Sequence, residues 1–508
     1  MTVESKKGWE HMKHRYCLFV RLILLVIGVN FVYAVSPKAR LIILADMGNE
    51  ADEMQQMIHL MVCNNEVEIE GLIAVTGIHL RPGHPYGDYR SVTHPELFIE
   101  IIDAYAKVYD NLQKHADGWH HPEELKKKVT TGQKGYGIDD VGKGKSSPGS
   151  ELILKALAKD DDRPVWIVVN AGSNTLAQAI FDYRETHSQV EVDAFIAKIK
   201  VFENGSQDNA GAWICSQFPK IQWLRSNNQT YGYGGPGTKE EALGPNYWKP
   251  YENSEQGQLD WQKEHIMTGH GALGEIFPIR MLHDPGNVRL CYHEGGGTTG
   301  WMGLVNKGLY DIDHPSWGGW AGRFSAEKVT NYWSRHKSIR PDEEKIAPFY
   351  VHRGVSDHWI DPQDGKVYNS IYAPVYRWRE AMYNDEITRF DWCVKPYSEA
   401  NHHPVAAFNG DCSDAIVRLK AKIGEVISVD ASASRDPDGD DLVYKWWIYE
   451  EAGTYAGRVR VNSANKAKAQ IEIPLGASGK QIHLILEIKD KNPIVSLFDY
   501  RRIVIDVQ

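Results

Sequence analysis

Residues 41–53, Leu-Ile-Ile-Leu-Ala-Asp-Met-Gly-Asn-Glu-Ala-Asp-Glu, place four carboxylates just beyond a short apolar run. The run over 41–45 predicts a buried strand ending at Asp46, and Gly48 permits a tight turn. Met54, Met57, Ile58, Met61 and Val62 then recur with helical period, so Asp46, Glu50, Asp52 and Glu53 gather on one strand-to-helix loop. In open α/β sheets that carboxyl edge is where ligands bind. Like charges this close repel unless a cation or shared protons offset them. Hard oxygen donors favour Ca²⁺ or Mg²⁺ over softer metals. A helix dipole would account for one or two of these acids, but not for Asp46 at the strand tip.

Four further segments carry polar or aromatic groups suited to chemistry. Residues 164–179, Pro-Val-Trp-Ile-Val-Val-Asn-Ala-Gly-Ser-Asn-Thr-Leu-Ala-Gln-Ala, read as strand, small-residue turn and helix, with Asn174 in the turn. Ser206-Gln-Asp-Asn-Ala-Gly211 follows a strand, and Asp208 and Asn209 are placed either to bond sugar hydroxyls or to cap a helix. Acidic residues recur at His283-Asp284-Pro285 and at His293-Glu294-Gly295-Gly296. Trp317 and Trp320, set among glycines over 314–323, suit stacking on sugar rings, the alternative being loop packing. His270, between two glycines, is a weaker general-acid candidate.

The elements that must hold these residues alternate. Strands are expected over 41–45, 71–76, 165–170 and 198–203, with helices over 52–63, 95–112, 148–158 and 173–183. Such alternation predicts a mostly parallel sheet covered by helices. Residues 231–345, rich in Gly, Trp and His, read as a loop-rich cap, and 346–395 as a further helical segment. Beyond 404, short β-rich runs over 415–419, 426–429, 442–449, 469–473, 483–488 and 502–507 predict a β-sandwich. The chain thus divides into 1–34, 35–395 and 404–508.

Residues 1–34 carry basic residues, then an apolar stretch ending in Val32-Tyr33-Ala34, the pattern of a signal peptide, which predicts a periplasmic or secreted protein. A net charge of −10 argues against a nucleic-acid partner. Six cysteines, one in the leader, form no Cys-x-x-Cys pattern, and a Cys393–Cys412 bridge is expected at most. Sixteen Trp and twenty-five Tyr fit a carbohydrate partner. Oligomeric state is left open.

Asp46-x-Gly48-x-x-x-Asp52-Glu53 resembles the Asp-x-Gly-x-Asp-Asp signature of nucleoside hydrolases. With its two-residue insertion, which contains Glu50, and a C-terminal sandwich, the chain more closely resembles the nucleoside hydrolase-like domain of a family described as cellulose-binding. Residues 430–447, with their Asp-Pro-Asp-Gly-Asp turn and Trp pair, are similar to the PKD/immunoglobulin-like domains of secreted carbohydrate enzymes. There Asp436, Asp438 and Asp440 read as turn formers.

The resemblance implies an open, mostly parallel α/β sheet, an active-site Ca²⁺ and hydrolysis of a glycosyl bond. Asp46 would ligate the ion and activate water, Asp52 would contact sugar hydroxyls, and Glu53 would replace the usual bidentate Asp. The Asn174 backbone carbonyl would be a further ligand. The last would come from Glu294 or Asp284, Gly296 standing where an acid belongs. The expected substrate is an environmental saccharide or glycoside rather than a nucleoside. The contrasting expectation is a non-catalytic cellulose-binding protein, with polysaccharide also held by the sandwich.

Overall fold

Strand β1 (Ala39–Ala45) is buried on both faces over 41–45, as that unbroken apolar run requires of a central parallel strand. The computed structural model describes residues 37–49, 51–85, 87–226, 259–279, 297–305, 308–329, 343, 346, 348–362 and 365–508. Helix α1 (Ala51–Cys63) leads from β1 to β2 (Val67–Ala74). Then come α2 (Pro95–Leu112), β3 (Val129–Thr131), α3 (Pro148–Leu157), β4 (Val165–Val169), α4 (Ser173–Thr186) and β5 (Ile199–Asn204). The α3 start carries a capping box from Ser147 to Ser150 with Pro148 in the first turn.

Helix α5 (Ala210–Gln217) and β6 (Gln222–Ser226) follow, and β7 (Phe324–Val329) and β8 (Phe349–Gly354) complete an eight-stranded sheet. Its order is β3-β2-β1-β4-β5-β6-β8-β7, parallel throughout except for β7 against β8. The order reverses between β1 and β4, where the first connections run one way and the later ones the other. That reversal opens a crevice at the carboxyl edge between the two strands.

The helical expectation for 346–395 needs correction. It holds from Ala373 onward, in a helical turn (Ala373–Tyr376) and α6 (Arg379–Trp392); β8 and a hairpin of β9 (Asp357–Ile360) and β10 (Val367–Ser370) come first. The signal was present in β8, where Phe349 and Val351 are buried and Tyr350 is half exposed, a period of two.

The C-terminal part is a sandwich of two sheets. The first is β11 (Val417–Ala421), β17 (Phe498–Val507), β16 (Gln481–Asp490) and β13 (Leu442–Ile448). The second is β12 (Val426–Asp430), β15 (Lys468–Glu472) and β14 (Arg460–Asn462). Trp446 fills the core between them. Asp436 accepts from the backbone N–H of Asp438 (2.8 Å) and Asp440 (3.2 Å), the turn-forming role expected of it.

The sandwich does not hang on a loose tether. Tyr449, Ile485, Phe498 and Tyr500 belong to the same apolar core as Trp320, Trp378 and Met382. The connecting residues are also bound: Asn401 donates to Asp490 (2.9 Å) and His403 pairs with Asp385 (2.7 Å). The expected Cys393–Cys412 bridge is absent. Both are free thiols, and Cys393 is buried at the end of α6, its Sγ donating to the Arg389 carbonyl.

Candidate active site

Asp46, Asp52 and Glu53 sit where the sheet order predicts a ligand. Asp46 directly follows β1 at the crevice and is fully buried. Its carbonyl accepts from Asn49 N–H (3.1 Å), closing the turn that Gly48 makes at φ +89°. A Cβ on Gly48 would lie 2.7 Å from the His94 ring, so the glycine is also demanded by close packing. The Asn49 carbonyl in turn accepts from Arg90 (2.9 Å). Glu53, in the first turn of α1, is 3 % exposed, while Asp52 beside it is partly open. Glu50 lies outside the described residues.

Three other strand ends gather around Gly77, which borders Asp46. A methyl group placed on Gly77, just beyond β2, would stand 3.6 Å from Asp46 Oδ2, 3.0 Å from Ala171 Cβ and 3.1 Å from Gln207 Oε1. Ala171 follows β4 and Gln207 follows β5, so small residues on two strand ends clear the space beside the carboxylate. The Gln207 carbonyl also accepts from Ile78 N–H (3.0 Å), tying the β2 and β5 loops together. Tyr89 stacks on His94 (4.1 Å between centroids) and is 56 % exposed, an open aromatic face next to the acidic loop. Sequence reasoning passed over Gly77, Tyr89 and Gln207; Gly77 and Gln207 were discoverable as the residues one turn past strands β2 and β5.

Asp208 is placed differently from a sugar ligand. Its carboxylate accepts from Ser173 Oγ, from Asn174 N–H (3.2 Å) and from Ala210 N–H (2.9 Å), fastening the start of α4 to the start of α5. Asn209 Oδ1 accepts from Ile138 N–H (2.8 Å) and holds the loop over 137–140. Asn174 is buried and donates from Nδ2 to the Gly135 carbonyl (3.0 Å), so its side chain is structural. Beneath this turn Arg225 bridges Glu203 and Glu343, and Ser206 donates to Glu343 (2.5 Å).

The expectation of sugar stacking on Trp317 and Trp320 is corrected by their burial, at 4 % and 1 % exposed. Trp317 has His314 stacked at 3.9 Å, Arg418 at 4.9 Å and His483 edge-on at 4.9 Å, so its faces are taken by the protein itself. Trp320 belongs to the shared core. His270 faces Asp391 (3.3 Å) in a cleft of about 660 Å³ that none of the acidic-loop residues lines. Glu294 and Asp284 lie outside the described residues. Gly297 does not: a Cβ there would meet Gln56 Oε1 of α1 at 1.9 Å and Asn170 Oδ1, just past β4, at 2.6 Å.

An acidic strand end at the reversal point of a mostly parallel sheet, with a sandwich fused to the same core, defines a nucleoside hydrolase-like α/β protein. Residues 40–324 match the model of the family "Cellulose-binding Sde182, nucleoside hydrolase-like domain", and 426–507 match "Cellulose-binding protein Sde0182, C-terminal domain". The chain belongs to this Sde182 family. It is 35 % identical to a solved nucleoside hydrolase-related protein from Saccharophagus degradans, described as associated with carbohydrate metabolism. That match covers 93 % of this chain and 100 % of the other, with a TM-score of 0.76. A mannanase from Thermotoga petrophila, 10 % identical with coverage of 93 % and 98 %, has a TM-score of 0.15 and carries no argument. No curated protein matches the chain.

Proposed function

We propose that the protein is an exported hydrolase that cleaves a glycosyl bond of an environmental saccharide or glycoside, with Asp46 as the base that activates water. The observation that carries this reading is a fully buried carboxylate at the switch point, with Glu53 buried in the following helical turn. The donor set fits Ca²⁺: carboxylate oxygens in one loop, a hard set of the kind the ion takes. Asp46 and Glu53 would hold it, with the Asn174 carbonyl and Glu294 as further proposed ligands. When bound, the ion would orient sugar hydroxyls and offset charge at the site.

The chain's own residues do the rest. Asp46 accepts the proton of the attacking water as the glycosyl bond breaks and the anomeric carbon gains oxocarbenium character, the departing group taking up a proton from solvent. Asp52, at the partly open edge, and Gln207 would bond hydroxyls, and the exposed face of Tyr89 would offer an apolar platform for a ring. Residues 1–34 supply export by the reading of their sequence.

Asp46→Ala should lower kcat about 10²–10⁴-fold, the usual contribution of a general base. EDTA should abolish release of sugar from aryl glycosides or plant oligosaccharides, and Ca²⁺ should restore it. The second reading, a cellulose binder without catalysis, is favoured by the family's description. It requires no turnover across that panel and across nucleosides, with cellulose retention unchanged in Asp46→Ala.

A further inference from the structure

Six and ten residues down α1 from Glu53, the helix carries a second group of ligand atoms that this function does not use. His59 and Cys63 are four residues apart, on one face of the helix. Asp385 of α6 packs against that face, and the three are fully buried. One ligand atom from each lies within 4.8 Å of the others. Both nitrogens of the His59 ring are buried without a hydrogen-bond partner, although buried polar atoms are nearly always paired. The ring stands edge-on to Trp301 at 5.2 Å, and its Nδ1 is 3.4 Å from Glu386 Oε1.

We propose that His59, Cys63 and Asp385 bind a single zinc-class divalent cation, with Glu386 orienting the imidazole. Thiolate and imidazole select a borderline-soft ion, unlike the all-oxygen acidic loop. Tetrahedral zinc places its ligand atoms roughly 3.3–3.8 Å apart, so a small inward shift of these side chains closes the site. A dication held by one thiolate, one carboxylate and a neutral imidazole has no net charge, which suits complete burial. Binding releases the Cys63 thiol proton to solvent.

Asp385 is already aimed. Arg389 Nε donates to both its oxygens (2.8 and 2.9 Å) and His403 Nε2 contacts Oδ1 (2.7 Å). Such outer partners fix a ligating carboxylate. Arg389 also donates to the Val62 carbonyl (3.1 Å) and to Asn65 Oδ1 (3.0 Å), at the end of α1. The ion would therefore brace the helix that opens with Asp52 and Glu53 against the helix leading to the sandwich.

The test strips the full chain with chelator and titrates it with Co²⁺ and Zn²⁺. Uptake of one Co²⁺ per chain is expected, with a thiolate-to-cobalt charge-transfer band that Zn²⁺ displaces. Cys63→Ser should lose the band while circular dichroism stays unchanged. No uptake by the folded wild type, or a band that survives in Cys63→Ser, overturns the proposal. Should Cys63→Ser not fold, alkylation of the wild type decides. Zn²⁺ protection of Cys63, mapped by mass spectrometry, supports the site, and equal labelling with and without Zn²⁺ overturns it. Ca²⁺ at the acidic loop gives none of these signals, so this outcome is separable from the fate of the proposed activity.

Discussion

Asp208 shows how one residue type at one position can carry two readings that differ in what they predict. Placed after a strand near the crevice, it is a natural partner for a sugar hydroxyl. Its two oxygens instead receive Ser173 Oγ and the N–H groups of Asn174 and Ala210. Two of these donors belong to helix starts, where N–H groups lack intrahelical partners. Asp208→Asn would turn an amide N–H₂ toward at least one of those donors. Hydrogen bonds to a charged group contribute roughly 1.5–3 kcal/mol, so a stability loss of that order is expected in chemical denaturation. A variant with unchanged midpoint and only a raised KM would return Asp208 to the substrate. The same reasoning separates Tyr89 from Trp317: composition flags both as aromatic, and only burial tells which ring keeps an open face.

At the scale of elements, the connection from β4 to α4 depends on Gly172, which caps the helix in the left-handed region at φ +64°, ψ +42°. A Cβ there would lie 2.4 Å from Val75 Cβ and 3.0 Å from the Thr76 carbonyl. Gly172→Ala should therefore cost more than the roughly 1–2 kcal/mol of left-handed backbone alone. It should also shift the helix that presents Ser173 and Asn174 to Asp208, lowering thermal stability and protease resistance together. A wild-type melting temperature would disprove this account. These elements were well announced: helix 95–112 and the α3 cap were legible because period, proline and serine agreed. Strand β7 was not, since it follows a segment of weak periodicity, and the alternation in β8 did not reveal its partner β6, which lies far away in sequence. The acidic loop was legible as a cluster. What surrounds it was not, because Gly77, Ala171 and Gln207 come from three other strand ends that only the sheet order brings together.

In the whole molecule, the two halves are joined by polar groups sealed under apolar ones. Gly308 lies so close to β17 that a Cβ would meet the Tyr500 carbonyl at 2.0 Å. Arg502, on the same strand, donates to the Leu309 carbonyl (2.7 Å), the Gly318 carbonyl (3.0 Å) and His483 Nδ1 (2.9 Å). His483 Nε2 contacts Gln481 Oε1 (2.9 Å), so the imidazole is held neutral with its proton on Nε2. Burial pushes its pKa down to about 2, helped by the positive charges of Arg502 and Arg418 and by His314. A histidine kept neutral in the fold binds a proton more readily once unfolded. Stability is then complete above the unfolded pKa near 6.5 and falls as pH drops below it. The slope approaches about 1.4 kcal/mol per pH unit, or roughly 2 kcal/mol between pH 6.5 and 5. His483→Gln removes the titration while keeping a polar side chain. It should lower stability at neutral pH through the lost Arg502 bond, yet show a shallower decline in unfolding free energy between pH 7 and 5. Parallel curves for the two proteins would mean that the joint tolerates a protonated His483, and that acid loosens the halves at some other group.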